Sequence, residues 1–155
     1  MKNQSTMTDK VILRAQALAW AGKHTQAIET ASHELGRHNL KPKMQMDLLD
    51  LRAESYIAIG KLDLAAADAD AMTRLAKQGL SLSIQALNRK AIVQMRTGDL
   101  KSAVKSASAA LKIAQKSKQK RCISQSLLIL SESQTRKGQL EKSIVTAEKA
   151  IAIFQ

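Results

Sequence analysis

The stretch RTGDLKSAVKSASAALKIA, residues 96–114, contains a single glycine, Gly98, followed five positions later by Ala103. Three other stretches repeat a glycine with a small residue five positions later: AGKHTQAIETA from residue 21, IGKLDLAAADA from residue 59 and KGQLEKSIVTA from residue 137. The four glycines are spaced by 38, 38 and 40 residues. A period of this length indicates a chain built from repeated supersecondary units.

Alignment on these glycines brings small residues into three columns of the repeat. The columns hold Ala15, Ala53, Ala91 and Ser131, seven positions before the glycine; Ala27, Ala65, Ala103 and Ser143, five positions after it; and Ala31, Ala69, Ala107 and Ala147, nine positions after it. Helices that pack closely need side chains without bulk at the contact. The columns therefore predict helical hairpins, and stacking of the hairpins would bury a continuous core.

The positions of the glycines and of the single proline predict eight helices. They cover about residues 8–21, 24–36, 43–59, 62–78, 81–97, 100–116, 120–137 and 140–154. Ser81 and Asp99 are expected to cap helix starts, and Pro42 is expected in a first turn, where proline is tolerated. The expected class is all-α, with one domain over residues 1–155.

The aligned columns resemble the tetratricopeptide repeat family, which has a glycine at the turn, a large residue two positions later and an alanine five positions later. The large residue is present as Leu62, Leu100 and Leu140, and His24 departs from it. The resemblance implies a right-handed α-solenoid of four hairpins, with repeats at about residues 5–40, 41–80, 81–118 and 119–155. The longer period and the scarcity of aromatic residues are similar to repeats of bacterial regulatory proteins. A solenoid of the HEAT type is the alternative.

The composition restricts which cellular compartment and which catalytic chemistry we expect for the chain. The chain has 45% hydrophobic residues, 2% aromatic residues and one cysteine, Cys122, which has no partner within the chain for a disulfide. No stretch reads as a signal peptide or a membrane span, so we expect a cytoplasmic protein. No catalytic constellation, phosphate-binding loop or metal-ligand motif is present in the sequence, which predicts neither an enzyme nor a bound cofactor or metal.

The resemblance implies that the first helix of each repeat lines a concave, partner-binding groove. The groove residues predicted in the second and third repeats are Asp47, Asp50, Glu54, Gln85, Asn88, Arg89 and Arg96. The same register predicts exposure of Gln125, Leu128, Ile129, Glu132 and Arg136 in the fourth repeat. Asp47, Asp50 and Glu54 share one helical face, with Arg52 and Arg89 as nearby cations. An acidic stripe beside Arg89 and Arg96 could hold a peptide by complementary charge, and the alternative is an ordinary solvated face on which Arg52 and Arg89 relieve the repulsion.

Positive charge is concentrated in the third repeat. The chain carries a formal charge of +12, and residues 81–118 contain eight basic residues and one acidic residue. We call the following set the basic patch: Lys101, Lys105, Lys112, Lys116, Lys118, Lys120 and Arg121. No aromatic residue is interleaved for base stacking, so any attraction to nucleic acid would be of the nonspecific phosphate type.

The terminal helix is unusually apolar. Leu140, Ile144, Ala147, Ile151 and Phe154 form a stripe that is expected to pack inward, and Val145, Ala152 and Ile153 widen it. Val145, Ile153 and Phe154 are therefore predicted to form an edge for a homodimer or for an attached effector domain.

The sequence as a whole predicts a scaffold or sensor module that holds a protein or peptide in its groove. Two alternatives remain open: binding of nucleic acid or another anionic surface through the basic patch, and oligomerisation for an effector domain in a larger signalling protein. The sequence does not name the partner.

Overall fold

A computed structural model describes residues 2–153, and residues 2–6 and 8 are described by their backbone only. Eight α-helices and no strand occur in this range. The helices are α1 (Lys2–Trp20), α2 (His24–Leu35), α3 (Pro42–Ala58), α4 (Leu62–Leu75), α5 (Leu80–Thr97), α6 (Leu100–Ser117), α7 (Lys120–Arg136) and α8 (Leu140–Ala152), with a short 3-10 helix, Ala76–Gln78, before α5. The all-α prediction is confirmed. Most predicted bounds are correct to one residue, but α1 begins six residues earlier than expected.

The repeat glycines form the turn inside each helical hairpin. Gly22, Gly60, Gly98 and Gly138 have φ values of +73°, +75°, +86° and +80°. Around Gly60, the Gly60 N–H donates to the Ile57 carbonyl at 3.1 Å and the Lys61 N–H donates to the Tyr56 carbonyl at 2.9 Å. This bonding pattern satisfies the last carbonyls of α3 and requires a left-handed residue, which glycine adopts without strain.

Two of the three sequence-based assignments at helix starts are correct. Pro42 occupies the first turn of α3. Asp99 caps α6, because its carboxylate accepts a hydrogen bond from the Ser102 N–H at 3.1 Å. Ser81 is not a cap, since α5 begins at Leu80 and Gly79 occupies the cap position.

The first compact unit, Met1–Leu75, contains two hairpins. Each helix packs on the next, and α1 also contacts α3. The hydrophobic core of this unit is built from Ala15 of α1, Ala27 and Ala31 of α2, and Leu48 and Leu51 of α3.

A buried polar cluster connects three helices of the first unit. The Arg52 guanidinium donates to Asp68 Oδ2 at 2.9 Å and to Asp68 Oδ1 at 2.6 Å. It also donates to Ser32 Oγ at 2.9 Å, and its carbon lies 5.8 Å from the centre of the Tyr56 ring. The hydrogen bonds to Asp68 raise the pKa of Arg52 above its usual value, although burial opposes the charged form.

The second compact unit, Ala76–Gln155, contains the other two hairpins. Each helix again packs on the next, and α5 also contacts α7. Its core contains Ala91 and Met95 of α5, Ala103 and Ala107 of α6, and Ile129 and Leu130 of α7. In both units, therefore, the first helices of successive hairpins contact each other while the second helices lie between them in the chain.

The small-residue columns mark the close contacts within the hairpins. Ala53, Ala65, Ala91 and Ala103 are fully buried. In the last hairpin the contact is made by serines, and the Ser131 hydroxyl donates to the Ser143 carbonyl at 2.9 Å. The small residues that align between repeats are thus the residues at which the two helices of a hairpin pack closely.

Candidate functional site

The acidic stripe predicted on α3 lies on one side of the first unit. Asp47 and Asp50 are half-buried and Glu54 is exposed. Asp47 forms an ion pair with Lys43, one turn before it. Arg52, which the sequence places beside this stripe, is bonded to Asp68 and Ser32.

The groove residues predicted on α5 differ in their exposure. Arg96 is exposed and Gln85 is half-buried, whereas Asn88 is 3% exposed and Arg89 is 9% exposed. The expectation that these last two side chains face solvent was wrong. Asn88 Oδ1 accepts a hydrogen bond from Ser126 Oγ of α7 at 3.2 Å, so this side chain belongs to the contact between the two first helices.

Helix α7 presents a continuous exposed stripe. Gln125, Leu128, Glu132 and Arg136 are exposed, as their register predicted, and they are spaced three or four residues apart so that they share one face. Ile129 was expected in this stripe, but it is 8% exposed and belongs to the core. Arg136 Nε lies 3.2 Å from Glu132 Oε1.

The contact between α5 and α7 uses serines that the sequence reasoning missed. Besides the Ser126–Asn88 bond, the Ser133 hydroxyl lies 3.3 Å from Met95 Sδ and 2.7 Å from the Ile129 carbonyl, to which it donates. Ser124, Ser126 and Ser133 are all buried. The sequence did contain a signal of this close contact, because small polar residues recur on α7 at Ser124, Ser126 and Ser133, two and seven positions apart.

All residues of the basic patch are exposed. Lys101, Lys105, Lys112 and Lys116 project from α6, Lys118 follows its end, and Lys120 and Arg121 begin α7. Helix α6 contains no aspartate or glutamate. Lys118 has a φ of +55°, a left-handed conformation in which a side chain is strained, and it forms the end cap of α6.

The apolar stripe of α8 is oriented differently from the prediction. Leu140, Ile144 and Ile151 are 59%, 58% and 58% exposed, so the expectation that they pack inward was wrong. The side chains that α8 buries are Ser143, Thr146 and Ala150. They are small, which lets α8 approach α7 closely, and this places the larger apolar residues on a neighbouring face of the helix.

Two of the three predicted edge residues, Val145 and Ile153, lie within the described residues. Val145 is 49% exposed and lines a shallow open cleft of about 330 Å³ between α7 and α8, together with Gln134 and Thr146. Ile153 is half-buried, and Phe154 lies outside the described residues.

Within residues 2–153, no helix is both long and apolar enough to cross a membrane, and no group of histidine, cysteine, aspartate and glutamate side chains is placed to hold a metal ion. The chain matches no known family and no curated protein.

Proposed function

We propose that this chain is a protein-binding scaffold of the tetratricopeptide-like type, and that its second unit binds an acidic peptide segment along the exposed stripe of α7, next to Arg96 of α5. The proposal is supported by the repeated hairpins, the contact between α5 and α7, and the left-handed glycine at each turn. Adjacent first helices in contact offer a surface about 10 Å wide, which matches an extended chain or a single helix.

One observation carries the proposal: Arg96 of α5 and Arg136 of α7 are both exposed and occupy the same position of the repeat. They lie two residues before Gly98 and Gly138, so they extend from the same end of two helices that contact each other. Two guanidinium groups in this arrangement can bracket a carboxylate with bidentate hydrogen bonds. The exposed Arg136–Glu132 pair does not prevent this, because such pairs contribute at most about 1 kcal/mol.

The first unit offers a surface of the opposite charge. Helix α3, the first helix of the second repeat, carries Asp47, Asp50 and Glu54 on one side. A segment that binds this unit would therefore carry basic residues. Complementary charge of this kind selects partners and speeds association more than it raises affinity.

Photo-crosslinking tests the proposal. A photoreactive phenylalanine derivative at Gln125, in the stripe of α7, is expected to capture a partner from the native cell extract. The matched control places the same group at Ser108, an exposed position on α6. The double variant Arg96→Glu with Arg136→Glu should reduce capture at Gln125 at least tenfold without changing the circular dichroism spectrum. Equal capture at both positions, or capture that the double variant leaves unchanged, would remove this surface from consideration.

A second candidate function is attraction to a polyanion through the basic patch. It is favoured by the exposure of all its cations and by the absence of carboxylates from α6. The probe is a labelled 20-base DNA duplex of arbitrary sequence. If four phosphates are neutralised, affinity should fall about a hundredfold between 50 and 200 mM salt. Lys105→Glu with Lys112→Glu should abolish binding, and sequence-selective binding that persists at the higher salt would contradict this candidate.

A further inference from the structure

The last hairpin of the second unit, α7–α8, repeats an apolar surface of the preceding hairpin, α5–α6, where α7 covers it. Helix α6 carries the apolar series Leu100, Val104, Ala107 and Leu111, at spacings of four, three and four residues. Val104, Ala107 and Leu111 pack in the core with Ile129 and Leu130 of α7. This spacing is the a and d pattern of a coiled-coil seam.

Forty residues later, α8 carries the same series as Leu140, Ile144, Ala147 and Ile151. The three large side chains are 58–59% exposed, whereas their counterparts on α6, Leu100, Val104 and Leu111, are half-buried. The α8 seam therefore has the spacing and chemistry of a helix-packing surface, but it remains open to solvent among the described residues.

Helix α7 supplies the other side of this surface. Helix α7 contacts α5 of the preceding hairpin at Asn88, which accepts a hydrogen bond from Ser126. The residue of α7 in the position of Asn88 is Leu128, which is 55% exposed. Leu128 is thus placed to contact a helix that packs on α7 and α8 in the way that α7 packs on α5 and α6.

The charges beside the seam indicate what kind of helix fits. Glu141 and Glu148 each follow a d position of α8, which makes them the e positions of the heptad, and both are exposed. A helix that runs antiparallel to α8, as α7 runs antiparallel to α6, places its own e positions against these glutamates. Lysine or arginine there would be attracted, and glutamate would be repelled.

The same charges disfavour a second copy of this chain. Two copies of α8 packed antiparallel on their seams would bring Glu141 of one copy close to Glu148 of the other. We propose instead that the surface formed by Leu128, Leu140, Ile144 and Ile151 docks an amphipathic helix of a partner protein, with an apolar a/d seam and basic e positions. The docking surface shares Leu128 with the exposed stripe of α7, but Leu140, Ile144 and Ile151 lie on α8, outside the proposed peptide site. Variants at Glu141, Ile144 and Glu148 therefore test the docking surface, and variants at Arg96 and Arg136 test the peptide site, so the two failures can be told apart.

The experiment uses the full chain and two fluorescein-labelled 21-residue helical peptides. Both have leucine at a and d, and they differ only in carrying lysine or glutamate at every e position. In fluorescence anisotropy at low salt, the lysine peptide should bind about fivefold more tightly than the glutamate peptide. Glu141→Lys with Glu148→Lys should reverse this preference. A structural effect of the substitutions would weaken both peptides and reverse nothing.

The seam is tested separately by Ile144→Asp, which should weaken binding of the lysine peptide at least tenfold because a charge would be buried in an apolar contact. Leu13→Asp is the control, since Leu13 is 64% exposed on α1 and outside this surface. Equal affinity for the two peptides, or equal loss in both variants, would overturn the proposal. So would sedimentation velocity showing a dimer of the wild-type chain that Ile144→Asp converts to a monomer, because the occupant would then be a second copy.

Discussion

Arg52 and Asp68 form a bidentate ion pair between α3 and α4, with donor–acceptor distances of 2.9 and 2.6 Å. The Arg52 side chain is 21% exposed and the Asp68 side chain is 6% exposed. The third guanidinium nitrogen bonds to Ser32 of α2, so one side chain connects both hairpins of the first unit. This cluster stabilises the stacking of the two hairpins as well as the hairpin that contains Arg52.

Asp68→Asn is expected to destabilise the chain by about 2 kcal/mol, because it removes the countercharge of a largely buried guanidinium and leaves only a neutral acceptor. Urea denaturation followed by circular dichroism measures the loss. The control is Glu132→Gln, which breaks the exposed ion pair with Arg136 and should cost less than about 1 kcal/mol. Similar losses in the two variants would show that burial of the Arg52–Asp68 pair contributes little.

Replacing a turn glycine by alanine should change the stability of the fold differently from replacing Gly36. Gly60 has a φ of +75°, and an added Cβ would have no other atom within 4 Å. Gly60→Ala therefore adds backbone strain but no clash. We expect a loss of about 1 kcal/mol. Gly36 has a φ of −72°, which alanine adopts readily, and Gly36→Ala should stabilise by up to about 1 kcal/mol. Thermal denaturation should therefore shift in opposite directions, and shifts of the same sign would contradict the assignment of Gly60 to a left-handed turn.

The alanine columns predict where added volume is not tolerated. Ala65 is fully buried in the close contact of α4, whereas Ala67, two residues later on the same helix, is exposed. Ala65→Leu should cost about 1–3 kcal/mol through overpacking, and Ala67→Leu should change stability by less than about 0.5 kcal/mol. Equal thermal midpoints for the two variants would mean that the column does not mark a close contact.

The sequence predicted the hairpins well because their signals are local. A glycine that must adopt a positive φ and alanines that recur at helical spacing depend on residues within one hairpin. These signals placed Gly60, Ala65 and the bounds of α5 through α7 nearly correctly, whereas α4 ends at Leu75, three residues before its predicted end. They also placed the stripe of Gln125, Leu128, Glu132 and Arg136, because exposure on α7 follows the helical period.

The errors concern which face of a helix meets its neighbours, both between hairpins and within one hairpin. Asn88 was assigned to the groove by its register, yet it is buried against Ser126, 38 residues away. The stripe of α8 was expected to face inward because it is apolar, yet small residues such as Ser143 and Ala150 form the buried face. Hydrophobicity favours burial of a side chain, but the shape of the neighbouring helix decides which face approaches it. One sequence taken alone gives no information on that shape.

Asp99 gives the structure a pH-sensitive helix cap. Hydrogen bonds from the Ser102 side chain and backbone N–H lower the pKa of Asp99 below its usual value, which is about 3.9 for aspartate. A carboxylate with a lowered pKa in the folded state stabilises that state at pH values above the unfolded pKa. The stabilisation is lost as the pH falls through the lowered, folded-state value.

Asp99→Ala should therefore lower the thermal midpoint at pH 5–7, where the wild-type carboxylate is charged and caps α6. The difference between the two proteins should shrink below about pH 4, as Asp99 of the folded wild type is protonated, to the smaller difference that a neutral cap gives. Asp99→Asn is the matched control, because its side chain still caps the helix but does not titrate, so its midpoint should approach that of the wild type at low pH. Calorimetry between pH 2.5 and 7 measures all three proteins. A difference between wild type and Asp99→Ala that stays constant over this range would show that the ionised carboxylate contributes nothing to the cap.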